Sequence, residues 1–227
     1  MSDCSHRWWD EQPGETPGAP GTLDDVLVAL LEDVEEDFLA HDPVPGWADP
    51  HPDLELPAPE EYSRRQDPGK YAIVPQRLMS WVRVLRARGL AHGEGAPDRV
   101  PAVLRPVDGE GTALLVTLRE EVDGFVATEL RLTEDTEPVL SLPVCGCDAC
   151  DDGSQKLIQE LDEAVLAVVE GAIEISQTPA RFTVRTADGG RSGSRDPDHA
   201  REHPGTVQVR GSSWIPGHRS RPVIDLP

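Results

Sequence analysis

The chain has 227 residues, a formal charge of −21 at pH 7, 22 prolines, 20 glycines and only 4% aromatic residues. So acidic a chain is a poor general ligand for DNA or RNA, because neutralising backbone phosphates supplies most non-specific affinity; neither nucleic acid nor an anionic membrane surface is an expected partner. Length and composition fit one domain with long irregular connections and a core of Leu, Val, Ile and Ala.

Residues 1–21 are polar and broken by Pro and Gly, which predicts a disordered lead. Trp8 and Trp9 are the exception: an exposed tandem tryptophan is costly, so the pair is expected to pin the lead to the domain. The lead has no basic region followed by an apolar run, and no stretch of the chain is apolar for long enough to span a bilayer. A cytoplasmic location follows as the expectation, where the four cysteines would rest as thiols or metal ligands.

A first amphipathic helix is predicted over 23–40. Leu23, Val26, Leu27, Leu30, Leu31, Val34 and Phe38 recur at three-and-four spacing, and Thr22 is placed to cap it. Its other face, with Asp33, Glu35, Glu36 and Asp37 among its acids, reads as solvated. Residues 41–59 read as an irregular crossing loop around Trp47, whose His41 and His51 have no metal-site spacing. A second amphipathic helix over 71–88 carries Pro75 in its first turn, an apolar face of Leu78, Trp81, Val82 and Leu85, and a Gly89-Leu90 ending suited to a left-handed cap. Because 64–88 is rich in arginine, Arg83 or Arg86 is expected to meet the acids of 32–37.

From residue 99 the pattern becomes extended. Strands are predicted at 100–104, 113–118, 125–132 and 139–144, separated by turn signals at Asp108-Gly109 and Asp123-Gly124. A helix over 154–170, apolar round most of its second half, should be the most buried one, with Asp151 and Asp152 at its capped start. Strands at 182–185 and 206–210 flank a Gly-, Ser- and Arg-rich loop over 187–205, and the 206–210 strand is expected to join the sheet of 100–144. The fold class is therefore α+β: an antiparallel sheet packed by a long buried helix, plus two N-terminal amphipathic helices. The expected organisation is a disordered lead over 1–21, a single domain over 22–211 and an irregular surface tail over 212–227.

Chemistry concentrates in Cys145-Gly146-Cys147-Asp148-Ala149-Cys150, where a strand passes into a helix. Three uses of the C-x-C-x-x-C turn stand open. Cys145, Cys147 and Cys150 could be three ligands of a zinc site, the fourth coming from Cys4, His199, His203 or Asp151. Cys147 and Cys150 could be a redox pair at a helix N-terminus, although Asp148, Asp151 and Asp152 disfavour a thiolate there. Or all three are structural thiols buried in a turn, the leading alternative because no fourth ligand is fixed by spacing. His199 and His203 have an i, i+4 spacing but lack the glutamate of a zinc-protease motif and precede Pro204; they read as a loop turn. No phosphate-binding glycine loop, dinucleotide fingerprint or nucleophile elbow is present.

The string Leu-Pro-Val-Cys-Gly-Cys-Asp-Ala-Cys-Asp-Asp over 142–152, followed by an acidic helix ending in Val-Val-Glu-Gly at 168–171, resembles the signature of an actinobacterial family of proteins, domain-of-unknown-function family 6226. The segments 62–71 and 81–91 are similar to a second stretch of that family. The resemblance implies membership over about 60–215 and no activity. The expectation is thus a non-enzymatic cytoplasmic domain that binds another protein, with the C-x-C-x-x-C turn as a structural corner and no cofactor expected; a zinc-binding or thiol-redox protein using the same cysteines is the alternative.

Overall fold

The structure, a computed structural model, describes residues 6–11, 22–52, 56–94, 102–109, 111–120, 126–195, 197–202 and 205–224. It is mixed α and β, with two antiparallel sheets. Helix α1 (Asp25–Ala40) lies against α2 (Ile73–Ala87), and α2 against α3 (Gly153–Val169).

Helix α1 starts two residues later than its apolar pattern suggests. The cap is Asp24, whose Oδ1 accepts the backbone N–H groups of Val26 and Leu27, so Thr22 is not the capping residue. Leu27, Leu30, Leu31, Val34 and Phe38 are buried as one stripe. Helix α2 ends at a left-handed Gly89, with Leu90 N–H on the Leu85 carbonyl and Gly89 N–H on Arg86, the double bond of a Schellman cap. The two helices are joined by charge as well as by packing: Arg83 meets Asp37 at 2.6 Å and Arg88 meets Asp33 at 2.5 Å, both partly exposed.

One member of the acidic face of α1, read from sequence as solvated apart from its arginine partners, is instead in the core: Glu35. This side chain is buried and accepts from Arg77 Nη1 at 2.5 Å and from the His6 backbone N–H at 2.9 Å. Arg77, fully buried, also holds Asp162 of α3 through Nε at 3.0 Å and Nη2 at 2.8 Å. Asp162 in turn accepts the indole N–H groups of Trp8 at 3.1 Å and Trp81 at 2.7 Å. A charged triad in the core survives because each carboxylate oxygen is hydrogen-bonded. It also fixes residues 6–11: Trp8 and Trp9 are buried, the pinning expected of the tandem pair.

The first sheet has strand order β1-β2-β3-β4-β5, built from Ala91–Glu94, Ala102–Pro106, Leu114–Glu120, Val126–Arg131 and Leu140–Leu142. Its meander follows the predicted strand run, with β1 added at the front, too short to show a period. The turn at Asp108-Gly109 is present, with Gly109 left-handed; the Asp123-Gly124 turn lies outside the described residues. The second sheet has order β8-β7-β6-β9, from β6 (Ile173–Gln177), β7 (Arg181–Thr186), β8 (Gly190–Ser194) and β9 (Val207–Arg210).

Two expectations fail here. The 206–210 segment does not join the first sheet, because its backbone pairs with β6, Ile175 facing Val209. The 187–205 segment is not a loop throughout. It contains β8 and the short helix α4 (Pro197–Glu202). Strand β8 is an exposed edge with no apolar face, which is why Gly, Ser and Arg could encode it without alternation.

Helix α3 buries Leu157, Ile158, Leu161, Val165, Leu166, Val168 and Val169. The segment after β9 is irregular but does not stay on the surface: Trp214 is 3% exposed and its backbone N–H donates to the Val169 carbonyl. Arg221 clamps the buried Glu170 with Nη2 at 2.5 Å and reaches Asp188 with Nη1 at 2.6 Å. No described helix is long and apolar enough to cross a membrane.

Candidate metal centre

Strand β5 ends at Leu142, followed by the cis Leu142–Pro143 peptide and a highly exposed Val144. The chain then turns through Cys145 and Cys147 into a single 3-10 turn, Asp148–Cys150, closed by Cys150 N–H on the Cys147 carbonyl. Within this turn the Sγ atoms of Cys145, Cys147 and Cys150 all lie within 4.8 Å of one another, and the Cys145–Cys147 pair is at 3.0 Å. A tetrahedral zinc–thiolate set, with Zn–S bonds of about 2.3 Å, has an S···S edge of about 3.8 Å. The Cys145–Cys147 pair is closer than that edge, and the other two separations are at most 4.8 Å. Cys145 is half-buried, Cys147 buried and Cys150 exposed, so the cluster opens to solvent on the Cys150 side.

The turn is held from outside by the segment before α2. The Asp148 N–H bonds to the Arg64 carbonyl, and the Asp148 carboxylate takes Arg64 Nε at 2.6 Å and the Gln66 N–H at 3.0 Å. Those donors hold Asp148 below the usual carboxylate range, the Arg64 hydrogen bond contributing most. Asp151 is buried and pairs with Lys70, while its Oδ1 accepts Trp47 Nε1 at 2.8 Å and Gly153 N–H at 3.0 Å. The Lys70 ammonium sits over the rings of Trp47 and Tyr71. Of the three aspartates that argued from sequence against a thiolate, Asp148 and Asp151 are therefore paired, with Arg64 and Lys70. Neither cation could be assigned to the cysteines from sequence, since both belong to the basic run that was expected to face α1.

Hydrogen bonding divides the thiols. Burial alone would raise Cys147, but hydrogen bonds from the Cys145 and Cys150 thiols and from the N–H groups of Cys150 and Ala149 outweigh it and hold Cys147 below the usual thiol range. Cys150 is pushed up to about 12, first by its hydrogen bond to Cys147 and then by burial and the charge of its neighbours. The backbone N–H donors around Cys147 suit a thiolate at that sulfur. Tyr71, raised by burial first and then by Asp151, Asp148 and the cysteines, stays a neutral phenol beside them.

Two details of the expected site change. The cysteines do not occupy the N-terminus of α3: a 3-10 turn, Asp151 and Asp152 intervene before Gly153. Asp152 makes no side-chain cap bond. Asp151 bonds to the first helical N–H, and the Trp47 carbonyl takes the Ser154 N–H. Gly153 is left-handed, and a Cβ there would lie 2.6 Å from the Asp49 nitrogen.

Among the described residues, no fourth Cys, His, Asp or Glu joins the three sulfurs. Asp151 is committed to Lys70, Trp47 and Gly153. Cys4 and His203 lie outside the described residues, as does the side chain of His199, whose backbone is in α4 rather than a loop turn. His51 bonds to Glu61 at 2.8 Å and His41 to the Asp37 carbonyl at 2.7 Å.

A family profile matches residues 34–217, and the chain belongs to that family, described as a family of unknown function (DUF6226). No curated protein and no solved structure matches the chain.

Proposed function

We propose that this is a non-enzymatic domain that binds zinc through Cys145, Cys147 and Cys150 and uses the resulting corner to bind another protein. The observation that carries the reading is the convergence of the three Sγ atoms within 4.8 Å in a turn stapled by Arg64 and Lys70. Three thiolates select soft or borderline metals, zinc foremost, and a site with three protein ligands keeps a fourth position for water or an incoming ligand. That position would face the exposed side of Cys150. The neighbouring Val144, 86% exposed, supplies an apolar contact for a partner at the same corner.

The test is elemental analysis of the full chain purified without an affinity tag. Near-stoichiometric zinc is expected, lost in Cys145→Ser and Cys147→Ser, with a chelator lowering the melting temperature because metal binding adds to folding free energy. Metal-free protein whose thiols resist alkylation until unfolding would replace this reading with structural thiols.

The 3.0 Å Cys145–Cys147 approach and the depressed Cys147 thiol favour a second reading, thiol redox chemistry. Its weakness is access, since Cys147 is 2% exposed. A reversible disulfide formed faster than alkylation of Cys150 would promote it over the metal.

A further inference from the structure

On the face of the first sheet opposite the core, a cavity of about 590 Å³ is walled by residues of both sheets. Side chains alternate along a strand. Leu114, Val116 and Leu130 point to the core, so Arg119 of β3, opposite Ala127, and Glu129 and Arg131 of β4, opposite Thr117 and Leu115, share the other face. The opposing wall comes from Phe182 of β7 and from Arg191 and Arg195 at the β8 edge, with Glu137 between.

Four arginines against two glutamates line this space, in a chain whose formal charge is −21. Carboxylates and main-chain carbonyls orient the guanidiniums. Glu129 bridges Arg119 at 3.0 Å and Arg131 at 3.2 Å. Arg131 also donates to the Thr136 carbonyl, Arg195 to Thr178 and Arg191 to Pro138. Arg195 meets Glu137 at 3.3 Å. Arg191 lies over the Phe182 ring, 5.1 Å from its centroid, so one basic group is stacked on an apolar wall.

From this arrangement we infer that the cavity is a binding site for a small phosphate monoester. Guanidinium forks match phosphate oxygens with paired N–H donors. The two positive charges in excess match the dianion that a phosphate monoester approaches at neutral pH. The half-buried Phe182 offers a surface for the organic part, and the volume lies in the range of small-molecule sites. Neither the cysteines nor a metal enters this inference.

The experiment is calorimetric titration of the full chain at low salt with phenyl phosphate, inorganic phosphate, phenyl sulfate and succinate. Phenyl phosphate is expected to saturate a single site with a dissociation constant below about 1 mM, to bind more tightly than inorganic phosphate or phenyl sulfate, and to weaken as salt is added. Arg119 and Arg191 are exposed, so Arg119→Gln/Arg191→Gln is expected to keep the parent melting temperature while losing about tenfold or more in affinity. Arg201→Gln/Arg210→Gln, on α4 and β9 and outside the cavity lining, serves as a charge-matched control with unchanged affinity. Absence of saturable phenyl phosphate binding at about 10 mM, equal affinity in parent and double variant, or tighter binding of succinate would each overturn the inference.

Discussion

Asp162 is the residue whose loss should cost this domain most. It is fully buried and serves Arg77 through two hydrogen bonds and both Trp8 and Trp81 through their indole N–H groups. Asp162→Ala leaves Arg77 with Glu35 alone and strands two buried donors. Breaking a buried ion pair from one side costs about 3–5 kcal/mol, and each unsatisfied buried N–H about 1–3 kcal/mol. The terms share partners and do not simply add. A total of about 4–7 kcal/mol follows, comparable with the whole stability of many domains, about 5–15 kcal/mol.

Asp162→Asn keeps one acceptor oxygen and should cost about 2–4 kcal/mol. Glu35→Gln should cost least, about 1–3 kcal/mol, because Arg77 retains its paired contact to Asp162 and the amide oxygen can still accept the His6 N–H. Urea unfolding followed by tryptophan fluorescence measures the series, and Trp8 and Trp81 report on the site itself. Cleavage of the N-terminal segment by a protease should accelerate in the same order, since Trp8 is tied down by Asp162. The cost should change little with salt, as expected for buried charges. A loss below about 1 kcal/mol for Asp162→Asn, or a larger loss for Glu35→Gln, would refute the assignment of Asp162 as the hub.

Reversing Arg83 and Arg88 together to Glu should lower the melting temperature by a few degrees at low salt and less at high salt, because exposed pairs are worth about 0–1 kcal/mol each; no salt dependence would count against pairing with Asp37 and Asp33. Gly153→Ala should destabilise by about 1–3 kcal/mol from its left-handed backbone, and by more if Asp49 cannot move away from the new Cβ, measured by the same urea titration. Asp148 is held below its ordinary pKa, so its contribution is complete above the unfolded carboxylate range near pH 4 and disappears as pH falls through the lower folded value. Asp148→Asn should therefore flatten the acid limb of the stability curve and leave a smaller difference from the parent at pH 2 than at pH 7.

Local patterns in the chain were sufficient for α1, α2, α3 and the β2–β5 meander, because their apolar residues cluster or repeat at the period of each element's own geometry. The Gly89 cap and the clustering of Cys145, Cys147 and Cys150 were legible for the same reason: they rest on contacts within a few residues. What tertiary structure decided is long-range and carried by single polar side chains. Glu35 and Arg77 look like members of solvated charge runs, and only the approach of Asp162 from α3 turns them into a core triad. Strand β8 has no apolar alternation, so its existence depends on the β7 edge, and β9 chose β6 over the first sheet through main-chain pairing that composition does not encode. Arg64 and Lys70 stand more than 75 residues before the aspartates they neutralise, at separations of 84 and 81. A periodicity reports which face of an element is buried; it carries no information about which distant charge will complete that face, or which distant cation will pair with the aspartates of the cysteine turn.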